Sequence, residues 1–207
     1  MRTFGSFTFE QVEDLFQIEK EDSLPLLTEW LSATYLVDDF EKHALTRLKT
    51  HLLKQVLAWN EDELKMFFIG PLIELCEVET KDFKAFTQRF LSATINSIEV
   101  NGRVDFMIAK GKRTAKAPYF CIHEYKQEID NEGEPLGQVL IAMLAAQTLN
   151  ENKFPILGAY IVGRNWFFIV LDDKKYAVSR LYDATENDIF DIFAILQKSK
   201  EIIQRFI

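Results

Sequence analysis

Cysteine is scarce in this chain of 207 residues: Cys76 and Cys121 are the only two, each inside an apolar segment, with no CxxC pair and no His spaced as a zinc partner. That excludes a disulfide scaffold and a structural zinc site, and it suits reduced core thiols in a cytoplasmic protein. Long apolar runs are missing too. The longest, Val139 to Ala146 and Trp166 to Leu171, fall well short of the roughly 18 residues that cross a bilayer. Met1 to Asp14 has no charged segment followed by a continuous apolar stretch, so a soluble, non-exported protein with no membrane partner is expected. Nor does the chain contain GxSxG, GxxxxGK[ST] or GxGxxG, the loops that present a serine nucleophile or cradle phosphates. Positive charge is in deficit, with 24 Lys and Arg against 32 Asp and Glu and a net charge of −8. That argues against a protein that coats nucleic acid non-specifically, because such binding is driven by Lys and Arg releasing counterions from phosphates, but it does not exclude a nuclease.

What the chain does have is apolar mass, 48% hydrophobic with 18 Phe, enough for a substantial core. Residues 1–57 read as a helical extension, with Leu27, Trp30 and Leu31, then Leu45, Leu48 and Leu52, spaced near the helical period. Residues 58–207 read as the main domain. Asn60 is a plausible N-cap, followed by Glu61, Asp62 and Glu63 in a first turn where the helix dipole favours acids. The helix they open should run to about Leu75, bent near Gly70-Pro71.

From Phe86 the texture becomes β. Phe90 to Val100 leads into Asn101-Gly102, the dipeptide best suited to a tight hairpin turn, with Val104 to Ala109 as the return strand. Lys110 to Ala117 reads as a polar loop whose Lys110, Lys112, Arg113 and Lys116 form a basic cluster, and Tyr119 to Gln127 as a third strand. After a polar turn at Asp130 to Glu134, an apolar helix runs from Pro135 to about Asn150 and can serve as the crossover of a parallel strand pair. Strands at Ile156 to Val162, Trp166 to Leu171 and Tyr176 to Leu181 follow, then an amphipathic helix from about Thr185 to Phe206.

Side chains alternate across a strand, so Glu124 and Lys126 share one face, with Phe120 and Ile122. A carboxylate and an amine are thus held about 7 Å apart. Asp105, on the preceding strand, converges on them if the two strands pair. The texts Gly102-Arg103-Val104-Asp105-Phe106 and His123-Glu124-Tyr125-Lys126-Gln127 resemble the PD-(D/E)XK nuclease superfamily, in which an acid on one strand precedes acid-x-Lys on the next. Val104 stands where the family name has Pro, a frequent variation. The likeness extends to Gly137 to Gln147 and to Gly163-Arg164-Asn165-Trp166-Phe167-Phe168, shared with a bacterial branch that carries no established substrate.

The resemblance implies an α/β, restriction-endonuclease-like αβββαβ core: a mixed central sheet flanked by helices. It also implies a metal-dependent nuclease that hydrolyses phosphodiester bonds, with DNA the preferred substrate and RNA a second. Asp105 and Glu124 would bind Mg²⁺, with Mn²⁺ as a substitute and the Tyr125 backbone carbonyl as a further ligand, and Lys126 would handle the attacking water. Many members add an acid from the first core helix; Glu63 or Glu61 matches best, with Glu74 on the same face as Glu63. Gln138 stands where related nucleases place a polar residue facing the site, and Gln147 lies deeper in the same helix. His123 and Tyr125 point to the opposite strand face, and His43 and His51, eight apart, share a helix face without a third ligand. The competing expectations are an inactive nuclease-fold module that binds nucleic acid or protein, and a homodimer that uses Trp166 to Leu171 as its edge.

Overall fold

The computed structural model describes residues 2–129 and 133–207, so the polar turn expected at Asp130 to Glu134 falls largely outside the described residues. The chain opens with β1 (Arg2–Thr3), α1 (Phe9–Phe16), β2 (Glu19–Lys20), α2 (Pro25–Leu31) and α3 (Asp39–Gln55). Thr8 caps α1, and a capping box between Asp38 and Glu41 starts α3. A second capping box, Asn60 with Glu63, starts a helical run made of α4 (Glu61–Leu64), a π turn (Lys65–Ile69) and α5 (Gly70–Leu75). Pro71 has no N–H to donate, and the run widens into the π turn just ahead of it.

The sheet follows: β3 (Lys84–Ile95), β4 (Ile98–Gly111), β5 (Ala115–Lys126), then α6 (Pro135–Leu149), β6 (Ile156–Val162), β7 (Asn165–Asp172), β8 (Lys175–Val178), β9 (Tyr182–Asp183) and α7 (Asp188–Gln204). From residue 61 to 162 the order is helix, three strands, helix, strand. Strand neighbours run β1-β4-β5-β6-β7-β8-β2, with β3 on β4 and β9 on β7. β5 and β6 are parallel across α6, whereas β3/β4, β4/β5, β6/β7 and β7/β8 are antiparallel. The chain is therefore an α/β protein with a mixed sheet flanked by helices.

Two apolar layers flank the sheet. On one face Phe106, Ile108, Cys121 and Tyr125 pack with Trp30, Leu45, Phe68 and Phe193 from the helices α2, α3, the 61–75 run and α7. On the other, Val104, Met107 and Ile122 pack with α1 and α6. Helix α6 has no polar face to give it amphipathic character, because Gly137 and every residue from Val139 to Gln147 are buried.

Four expectations need correction. The hairpin turns at Asn96-Ser97, both in the left-handed region at φ 47° and 65°, and not at Asn101-Gly102, which lies inside β4. Gly102 is small for another reason: a Cβ there would come within 2.5 Å of the Phe4 ring. The polar loop shrinks to a tip, because β4 and β5 extend past the Lys110–Lys116 pair until Gly111 pairs with Ala115. Phe120 does not share a face with Ile122, since Ile108 pairs with Cys121 while Ala109 pairs with Tyr119, and the residue skipped bulges into the opposite layer. Trp166 to Leu171 is not an edge: β7 lies between β6 on one side and β8 and β9 on the other, with Trp166 and Phe168 fully buried.

The first 57 residues are helical only in part and are built into the sheet. β1 pairs with β4 at Val100 and Asn101, β2 pairs with β8, and the segment between them lies along α6. Glu134 accepts the Phe9 N–H at 2.8 Å, and a Cβ on Gly137 would come within 2.5 to 2.7 Å of backbone atoms of Phe7, Thr8 and Phe9. Among the described residues no helix is long and apolar enough to cross a membrane.

This contact is testable by urea unfolding. Gly137→Ala should lower stability by about 1–3 kcal/mol through overlap with fixed backbone, despite the ~1 kcal/mol gain in helix propensity. Gly5→Ala, whose Cβ would meet only Gln138 Oε1 at 3.8 Å, should be within about 0.5 kcal/mol of wild type. Superimposable curves for all three proteins would show that the N-terminal segment is not held on α6.

Candidate active site

The β4–β5 ladder ends at Phe106 and His123. One step beyond, on the same register, Asp105 faces Glu124; strand alternation puts Glu124 on the face of Ile122, while the Asp105 carboxylate reaches toward the 61–75 run. Past this point the flank of β4 is taken over by β1. The Tyr125 N–H donates to Asp105 Oδ2 at 2.8 Å, so a side chain takes the place of a backbone acceptor. Asp105 Oδ1 accepts from Lys65 Nζ and from Gln88 Nε2, each at 2.6 Å.

Charges alternate from there. Lys65 Nζ also bonds Glu61 Oε1 at 2.5 Å, the other Glu61 oxygen lies 3.7 Å from Lys126 Nζ, and Lys126 Nζ bonds Glu124 Oε1 at 3.0 Å. Three carboxylates and two ammonium groups thus form one connected set with an excess of one negative charge. Burial and the nearby Asp105 push the Glu124 carboxyl up to about 7, outweighing the attraction of Lys126. Burial alone would lower both lysines, but their carboxylate partners prevail and hold each ammonium above its usual range.

Asp105, Glu124 and Lys126 therefore come together. Glu63 does not join them: its carboxylate accepts the Asn60 N–H at 2.9 Å in the capping box, and Glu61, two residues earlier, faces the lysines. The Asn-x-x-Glu spacing was itself the signal that Glu63 was committed to the cap. Glu74 is exposed on the wall of the adjoining cleft. Gln138 is not joined to the set either; among the described residues it has no bond to Asp105, Glu124 or Lys126, and its amide lies beside Gly5. Gln147 donates to the Asp173 carbonyl at 2.9 Å, a tie between helix and turn.

Lys65 and Gln88 are the residues that the sequence did not reveal. Lys65 reaches Asp105 from the π turn, 40 positions away in sequence. Gln88 sits opposite Asp105 on β3 with φ 53°, an uncommon backbone for a non-glycine residue in a strand. A cleft of about 860 Å³ opens here, with Glu61, Asp62, Lys65, Gln88, Asp105 and Tyr125 on its walls. On the opposite face of β5, Cys121, His123 and Tyr125 form a buried line, with Cys121 Sγ 3.2 Å from His123 Nε2 and His123 Nδ1 3.1 Å from the Tyr125 hydroxyl. Burial lowers His123 to about 3, so it stays neutral and serves the core.

The donor set is chemically suited to a hard divalent cation, since it is made of carboxylate oxygens in a place short of positive charge. Among the described residues, no three His, Cys, Asp or Glu side chains are gathered around one ion position. Lys65 and Lys126 stand between the acids instead. The chain matches no protein-family model, and no curated protein matches it.

Glu124 gives a pH signature in metal-free protein. Its folded-state value of about 7 lies above the ordinary 4.5, so the folded state holds its proton longer and stability falls as pH rises between those values. Glu124→Gln should match wild type near pH 4.5 and exceed it above pH 7, by up to about 3 kcal/mol. A stability difference that does not change across this window in chemical unfolding would refute the assignment.

Proposed function

We propose that this protein is a metal-dependent nuclease that hydrolyses phosphodiester bonds, with DNA as the preferred substrate, on a restriction-endonuclease-like core. The observation that carries this reading is the meeting of Asp105 and Glu124 at the end of the β4–β5 ladder, with Lys126 3.0 Å from Glu124. The order of helix, three strands, helix and strand around them, and the acid supplied by the first helix of that series, support it.

The chemistry asks for an anionic phosphorus centre to be neutralised, a water to be made more acidic and a leaving oxygen to be stabilised. Mg²⁺ or Mn²⁺, held by Asp105 and Glu124 with the Tyr125 carbonyl, supplies these when bound. Lys126 orients the attacking water and offsets charge that builds on the phosphorane, a role suited to a compact ammonium. Glu61 bridges Lys65 and Lys126 and offsets their mutual repulsion, one oxygen bonded to Lys65 and the other 3.7 Å from Lys126 Nζ. Lys65 provides the positive neighbour of Asp105 when no metal ion does, and competes with one for Oδ1. The same bridge is what favours the alternative, an inactive binding module in which Lys65 occupies Asp105 permanently.

Cleavage of plasmid and single-stranded substrates with Mg²⁺ or Mn²⁺ tests the proposal. Asp105→Ala and Lys126→Ala should each lower the rate by about 100-fold or more. Lys65→Met should shift half-maximal Mn²⁺ binding, read by calorimetry, to lower concentration. Equal cleavage by all proteins, or no cleavage by wild type together with no Mn²⁺ binding, would overturn the nuclease reading.

A further inference from the structure

A second concave surface lies outside the carboxylate–lysine set. Helix α3 and the 61–75 run enclose a groove of about 430 Å³ whose walls include Phe40, His43, Arg47, His51, Met66 and Phe67. Along α3 the same face continues through Thr50 to Lys54. Positions 43, 47, 51 and 54 recur at helical spacing, so His43, Arg47, His51 and Lys54 form one stripe. No carboxylate among the described residues lines either stretch of this surface. Among the described residues, neither Arg47 nor Lys54 has an ion-pair partner. In a chain of net charge −8, a cationic stripe left without acids is a local reversal of the protein's field.

The opposite wall is apolar and open to solvent. Met66 there is 70% exposed and Phe67 42%, and Phe40, on α3 at the head of the cationic stripe, is 73% exposed. The ring of Phe67 lies 5.8 Å from Trp59 and 6.5 Å from His51, in an aromatic cluster at the groove's edge. Cations on one side and exposed ring and thioether faces on the other are the two elements that hold an unpaired nucleic-acid strand: phosphates to the basic side chains, bases stacked on the apolar ones. The groove adjoins the candidate active site, because Met66 lines both it and the cleft beside Asp105.

We propose that the groove between α3 and the 61–75 run binds the single-stranded nucleic acid that flanks the scissile phosphate. Arg47 and Lys54 contact its phosphates, and Phe40, Met66 and Phe67 contact its bases. This rests on the nuclease reading for its direction, but it makes a claim of its own: binding without metal and without cleavage. It also assigns the N-terminal helices a task, as the arm that receives the strand leaving the site.

Fluorescence anisotropy in EDTA, with labelled single-stranded and duplex oligonucleotides of DNA and of RNA, tests it in the full chain. Wild type should bind the single strands more tightly than the duplexes. The double variant Arg47→Ala/Lys54→Ala should weaken binding at least about tenfold and lower the slope of log affinity against log salt by about 1.4, two phosphate contacts' worth on a single strand. Phe40→Ala/Met66→Ala should weaken binding while leaving that slope in place. Lys112→Ala/Arg113→Ala, which removes equal charge from the β4–β5 hairpin tip, should bind as wild type does. All these positions are exposed, and circular dichroism confirms folding of each variant. The proposal is overturned if wild type binds no strand, if the hairpin variant loses as much as the groove variant, or if sedimentation shows that Arg47→Ala/Lys54→Ala dissociates a dimer. Metal-dependent cleavage that persists in a protein whose groove variants bind normally would remove the groove and leave the nuclease; groove-dependent binding without any cleavage would do the reverse.

Discussion

The N–H of Tyr125 is satisfied by a carboxylate where a strand pair would have used a carbonyl. That substitution follows from the end of the β4–β5 ladder at Phe106 and His123, and it holds Asp105 beside Glu124 with its side chain inside the sheet's edge. A buried N–H left unpaired is costly, as is a buried carboxylate. Asp105 and Tyr125 answer each other's requirement, and the position of Asp105 is thereby fixed by backbone geometry. Gln88 and Lys65 close over its second oxygen from β3 and from the π turn. The widening of the 61–75 run ahead of Pro71 therefore lies within the part of the helix that serves the site.

Charge in such a place is held only by charge. Removing one member of a buried ionic set typically costs about 3–5 kcal/mol where the partner is left uncompensated, a cost that Glu124, already inclined to its neutral form, escapes. Here three acids and two lysines share the burden unevenly, and Glu124 carries the residue of the imbalance: it is almost wholly buried and inclined to keep its proton. Such a set is electrically unfinished, and an added cation would complete it. The opposite face of the same strand is finished, since Cys121, neutral His123 and Tyr125 satisfy one another inside an apolar layer. One strand thus presents a charged face and an apolar one, separated by the period-two alternation of its side chains.

The surrounding architecture makes that strand rigid. β5 has β4 on one side and β6 on the other, α6 fills one layer, and the helices of the opposite layer are tied across by contacts such as Trp30 Nε1 to the Ile195 carbonyl at 2.8 Å. The N-terminal segment completes the arrangement. It adds a strand at each end of the main strand path and lies on α6 so closely that Gly137 has no room for a side chain.

Much of this was legible from local pattern alone. The alternation that puts Glu124 and Lys126 on one face, the Asn60 cap, the apolar crossover helix and the bounds of β6 all depend on neighbours within a few residues, where periodicity and capping chemistry are sufficient. Errors arose where two local solutions competed. Asn101-Gly102 carries the stronger turn signature, yet the chain turns at Asn96-Ser97, because Gly102 is needed beneath Phe4 and Val100 is needed in the core. Glu63 and Glu61 are alike by composition, but only Glu61 is free of the cap. Lys65 and Gln88 had no local signal at all. Their meeting with Asp105 spans 40 and 17 residues of sequence and is created by the stacking of a helix and a third strand on the open end of the ladder. Residue type and spacing chose which face of β5 would bear charge; the long-range packing chose which charges would meet it, since a carboxylate's partners are set by distance in space and not along the chain.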